Sequence, residues 1–148
     1  MTMPRDITGC DITRRGLDTI QPMFMLAEWS EPELHASAFD MSYHWALQDV
    51  LRDVAKGRAD ARALKAYLEA PKQVFPAHAD RMNFTSNHDA NSWFGHDDEV
   101  YGPAFQAMAV LAATLPGMPL ILGGQESGLH KRLAQASGLL REGRHRVG

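Results

Sequence analysis

Four short apolar runs punctuate this chain, and helical spacing fills most of the intervals between them. Met23–Ala27 and Leu120–Leu122 have no polar alternation, the pattern of strands covered on both faces in a parallel sheet. Arg81–Asp89 begins as a strand and turns polar, and Phe39–Tyr43 is a weaker strand candidate. From Trp45, residues Leu47, Val50, Leu51 and Val54 recur at helical spacing until Gly57 supplies a stop. Leu64, Tyr67 and Leu68 give a helix over 61–70 one apolar face, with Pro71 ending it. Pro103 suits the first position of a further helix running through Phe105, Met108, Leu111 and Ala112 to Pro116. Alternation of strand and helix in this order predicts an α/β fold with a parallel sheet and flanking helices.

The remaining segments lack such patterns. Residues 1–16 are expected to be an irregular N-terminal segment, with the last turns of a helix over Arg14–Ile20 ended by Pro22. Asn87–Gly102 is expected to be a polar loop, and residues 134–148, poor in large apolar side chains, a mobile tail.

Two of the apolar runs end in side chains that a buried strand does not need. Phe24-Met25-Leu26-Ala27 leads into Glu28 and Trp29, and the Arg81 run ends in Asn87-His88-Asp89. Reactive groups at the C-terminal tips of parallel strands are how a (β/α) barrel builds its active site. An indole beside Glu28 would desolvate the carboxyl group and raise its pKa, as a general acid requires; capping or pairing with an arginine is the structural alternative. Asn87, His88 and Asp89 offer a donor, a titratable ring and a carboxylate suited to adjacent sugar hydroxyls, or simply a turn. Trp93 can be a stacking platform for a sugar or loop packing. Gln125-Glu126 is expected to anchor a loop. His96-Asp97-Asp98-Glu99 matches neither zinc nor EF-hand spacing and is expected to be a solvated acidic loop.

Bulk properties narrow the alternatives. The 148 residues suffice for one domain but not for a complete (β/α)8 barrel, which needs about 250. A net charge of −3 without a basic block argues against a nucleic-acid partner. No apolar run is long enough to span a membrane, and no secretory signal is visible, so localisation stays unassigned. The lone Cys10 excludes an internal disulfide.

Four blocks together resemble the α-amylase family of retaining glycoside hydrolases: Phe24–Trp29, Ala38–Met41, Phe84–Trp93 and Pro116–Ile121. Their order and intervals are similar to the second half of that family's catalytic barrel. The resemblance therefore implies a partial (β/α)8 TIM barrel, strands five to eight only, over residues 17–133. It implies that Glu28 is the general acid/base and Asp89 the transition-state stabiliser. It further implies that His88, and less strongly Asn87, contact substrate, an α-glucan or maltooligosaccharide cleaved with retention of configuration.

Retention also needs a second carboxylate about 5–5.5 Å from the acid to serve as nucleophile. The family's nucleophilic Asp follows an upstream strand that nothing in residues 1–23 matches; Asp6, Asp11 and Asp18 lie in other contexts. The chain alone is thus expected to be inactive, with out-of-frame or artefactual sequence flanking a genuine half-barrel, and to self-associate through open barrel edges. No cofactor and no metal are expected. The competing readings are a non-catalytic carbohydrate-binding or assembly half-barrel, and a metal-dependent hydrolase using His88, Asp89 and His96.

Overall fold

A computed structural model describes residues 8–70 and 75–128. Four strands, β1 (Leu26–Ala27), β2 (Met41–Tyr43), β3 (Asp80–Asn83) and β4 (Met118–Pro119), form one sheet in the order β1-β2-β3-β4. Every pairing is parallel, with Leu26 beside Met41, Ser42 beside Arg81 and Met82 beside Met118. Helices α2 (Trp45–Ala55) and α3 (Ala61–Glu69) connect β2 to β3. Helices α4 (His88–Phe94), α5 (Asp97–Tyr101) and α6 (Phe105–Thr114) connect β3 to β4. A 3-10 turn over Pro32–His35 connects β1 to β2. This is the expected parallel α/β sheet with flanking helices. Among the described residues, no helix is long and apolar enough to cross a membrane.

The strands are shorter than the apolar runs predict, for local reasons. The Asp40 carboxylate accepts a hydrogen bond from Met25 N at 2.7 Å, so that donor is spent on a side chain, while the Met25 carbonyl accepts from Asp40 N and Met41 N at 2.9 and 3.2 Å. At the other edge, pairing falls on Met118–Pro119 instead of Leu120–Leu122. Gly117, at φ +132°, allows the close approach there: a Cβ on it would lie 2.5 Å from the Arg81 carbonyl oxygen and 2.8 Å from Asn83 Nδ2. Leu120 N still donates to Asn83 O at 2.8 Å before the chain leaves the sheet.

Two expectations for irregular chain are corrected. Thr8–Asp18 is a helix, α1, over most of the segment expected to lack structure. It carries few apolar residues, with Ile12 exposed, so apolar spacing alone misses it, and polar contacts anchor it. Arg14 Nη1 bonds Asp40 at 2.9 Å, and Asp11 accepts from Ser37 Oγ at 2.6 Å. The supposed loop over Asn87–Gly102 contains α4 and α5, each too short and polar to show a period. Capping specifies both: Asn87 Oδ1 accepts from Ala90 N at 2.7 Å, and the Glu99 carboxylate accepts from His96 N at 3.1 Å. The tail over residues 134–148 lies outside the described residues.

The core is in two parts. Leu47, Leu51, Leu64, Val100, Tyr101, Met108 and Ala112 pack among the helices, while Met41, Tyr43, Met82 and Phe84 pack along the strands. Polar groups tie the helices to the sheet. His44 Nδ1 donates to Asn83 Oδ1 at 2.7 Å, and Tyr67 Oη donates to His44 Nε2 at 2.7 Å, the arrangement a neutral imidazole requires. Burial lowers the His44 pKa to about 4, against the opposing hydrogen bond that the ring donates to Asn83. Asn83 Nδ2 in turn donates to the carbonyls of Leu115 and Pro116 at 3.2 and 3.1 Å.

Candidate active site

Strand polarity decides where the functional side chains gather. Because β1 and β3 run in the same direction, the residues that follow them emerge at one end of the sheet. Glu28 follows β1 directly, and Asn87 starts α4 beyond the end of β3. Asn87 is 1 % exposed, so it acts as a cap that points the first turn of α4, and with it His88 and Asp89, toward Glu28. Asn87 thus has a positioning role, through its Oδ1, in addition to the substrate contact expected of it.

His88 and Glu28 meet directly, with Nε2 to Oε1 at 2.6 Å. Asp89 Oδ1 lies 3.7 Å from the same nitrogen, close for charge but beyond a hydrogen bond. One donor atom from each of the three residues lies within 4.8 Å of the other two. Among the described ion pairs, neither carboxylate is matched by a lysine or arginine. The Glu28 side chain is 57 % exposed, so the desolvation by Trp29 expected for a general acid is not present here. The alternative of a pairing arginine gives way to histidine.

Aromatic side chains floor the cluster. Tyr43, at the end of β2, is buried; burial pushes its phenol pKa up, and the negative charges of Glu28 and Asp89 push it further. Tyr43 packs on Phe84, Phe84 meets Trp45 edge-on at 4.9 Å, and Trp45 stacks on Trp93 at 5.9 Å. Trp93, on the same helix α4 as His88 and Asp89, remains 63 % exposed. Tyr43 and Trp45 escape sequence reasoning, although an aromatic pair at i and i+2 across a strand tip is a usable sign of a shared face.

The residues expected to form an acidic loop separate. Asp97 is drawn in, accepting from Thr85 Oγ1 at 2.8 Å and from the Gln125 side chain, and burial raises its pKa against those two hydrogen bonds. Gln125 is the loop anchor expected of it: its amide also donates to Thr85 Oγ1 at 2.6 Å, fastening the chain after β4 to the end of β3.

The four parallel strands and their flanking helices define part of a (β/α) barrel, and comparison with known proteins agrees. No family profile matches the chain. The α-amylase MalA of Haloarcula japonica is 36 % identical over 103 residues, 68 % of this chain and 15 % of its own length. Among solved structures, a maltogenic α-amylase of Thermotoga neapolitana superposes with a TM-score of 0.74 at 22 % identity, over 90 % of this chain and 31 % of the enzyme. The cyclic α-maltosyl-(1→6)-maltose hydrolase of Arthrobacter globiformis gives 0.68 at 21 % identity, over 86 % and 31 %. The chain thus spans about a third or less of the proteins it matches. It belongs to the α-amylase family of glycoside hydrolases and corresponds to a part of that family's TIM barrel.

Proposed function

We propose that this chain is strands five to eight of an α-amylase-type barrel, spanning residues 17–133. In this reading it holds the acid/base Glu28 and the stabiliser Asp89 for retaining cleavage of α-glucans or maltooligosaccharides. The observation that carries the reading is the convergence of Glu28, His88 and Asp89 at one end of a parallel sheet. Glu28 would deliver a proton to the glycosidic oxygen, His88 would bind sugar hydroxyls, and Asp89 would stabilise positive charge developing on the sugar ring. Spacing does not by itself separate stabiliser from nucleophile, because the two carboxylates are near the separation of a retaining pair. The assignment of Asp89 as stabiliser comes from the family resemblance. Among the described residues the cluster holds two carboxylates and not a third to take the nucleophile's part, so the chain by itself should not turn over. Removing one member of a unit that acts together costs several orders of magnitude in rate.

The test is reducing-sugar release from a maltooligosaccharide by the chain and by Glu28→Gln. Equal background from both proteins is expected. Turnover that disappears in Glu28→Gln would show that the chain completes an active site, through a second copy or with Asp89 as nucleophile, and would overturn the prediction of inactivity.

The exposed Trp93, on the same helix as His88 and Asp89, favours one second reading, a half-barrel that binds sugar without chemistry. In that case Glu28→Gln leaves oligosaccharide binding intact while His88→Ala weakens it.

A further inference from the structure

The same three side chains have a geometry that a sugar does not require. Two carboxylates face one imidazole nitrogen, and the nitrogen's single proton serves only Glu28, at 2.6 Å. Asp89, at 3.7 Å, shares the charge without receiving a hydrogen bond. A tetrahedral zinc ion with bonds of about 2.0–2.1 Å to nitrogen and oxygen sets its donor atoms about 3.3 Å apart. The observed separations of 2.6 and 3.7 Å fall on either side of that value. The third separation lies within 4.8 Å. Small side-chain rotations close the difference, and the side chains have room for them, being 51 % (His88), 57 % (Glu28) and 34 % (Asp89) exposed. His88 and Asp89 sit on the capped first turn of α4, which fixes two of the three donors on one short rigid element.

We propose that Glu28, His88 and Asp89 form a binding site for a borderline divalent cation of the zinc class, and that the cation opposes the acid/base role of Glu28. The ion takes the Nε2 lone pair of the neutral Nδ1–H tautomer, so any proton on Nε2 gives way to it. Two carboxylates neutralise a divalent charge, and the remaining coordination positions stay open to water. One imidazole among three ligands selects for zinc over calcium, which takes six to eight oxygen donors. A Glu28 oxygen engaged by the ion is no longer free to carry a proton, so the ion is an antagonist of the acid/base and not its cofactor.

This inference uses the cluster named in the hydrolase reading but not its chemistry, and its test contains no sugar; each can therefore fail alone. The full chain is titrated with zinc chloride by calorimetry, beside His88→Ala, the near-isosteric Glu28→Gln and Asp89→Asn, and His78→Ala as a control among the chain's 7 histidines. Expected is one saturable site per chain, weakened at least tenfold in each of the three cluster variants and unchanged in His78→Ala, with no comparable heat from calcium chloride. Zinc binding that is unchanged in His88→Ala and Asp89→Asn, absence of a saturable site at millimolar zinc, or equal affinity for calcium would each overturn the proposal. The isosteric variants keep the test valid should His88→Ala perturb α4.

Discussion

His44 places a titratable group where protonation must break a contact. Its Nε2 accepts from Tyr67 and its Nδ1 donates to Asn83, so a second ring proton would face the Tyr67 hydroxyl and force it to turn. The imidazole pKa falls from 6.5 to about 4 in the folded chain. Between those values the unfolded chain binds the proton and the folded chain does not, so stability drops as pH is lowered through that window. At about 1.4 kcal/mol for each pH unit, the loss attributable to this ring is about 3 kcal/mol. His35, also lowered chiefly by burial, adds to the trend, and Asp97, raised by burial, opposes it. The perturbation must therefore be read as a difference. Urea unfolding followed by circular dichroism, at several pH values from 4 to 7, is compared between the native chain and His44→Gln. The variant should be less stable at pH 7, where it loses a matched network, and should show a flatter fall toward pH 4. Parallel stability curves for the two proteins would refute the reasoning.

Two further outcomes follow from close contacts already described. Gly117→Ala forces a methyl group to within 2.5 Å of the Arg81 carbonyl at a backbone angle that L-residues avoid. It should cost upward of about 2 kcal/mol in the same urea assay, and a loss below about 0.5 would mean that the β3–β4 approach is softer than it looks. Asn87→Ala removes the cap of α4 and should cost about 1 kcal/mol, while Asn87→Ser, which can still accept from Ala90 N, should recover most of that. A serine variant no better than alanine would assign the loss to burial rather than capping.

How much of this was legible in the sequence depended on how far each feature reaches along the chain. Strand-tip groups such as Glu28 and His88-Asp89 stand out because an apolar run with a charged end has no packing explanation. The amphipathic helices α2 and α3 and the largely apolar α6 announce themselves through Leu47, Leu51, Leu64 and Met108. By contrast, α1 has few apolar residues and is held by Arg14 and Asp11, whose partners Asp40 and Ser37 lie far along the chain, so a search for apolar spacing passes over it. Asn87 was weighed for substrate contact because Asn serves equally in turns and in sugar binding, and its capping role shows only in the folded chain. Asp97 looked solvated for the same reason: its partners, Thr85 and Gln125, belong to the ends of two different strands. The polar layer around His44 left no trace either, since pairing it with Asn83 requires the sheet to exist first.

All 3 tryptophans of the chain stand at one end of the sheet: Trp29 next to Glu28, Trp45 opening α2, and Trp93 on α4 stacked against Trp45. The helical core holds Tyr67 and Tyr101 but no indole. Light absorbed selectively by indole is therefore absorbed wholly at the rim of the candidate site. The molecule comes with a built-in optical probe: quenching or a colour shift on adding a sugar or an ion reports a change at that end of the sheet.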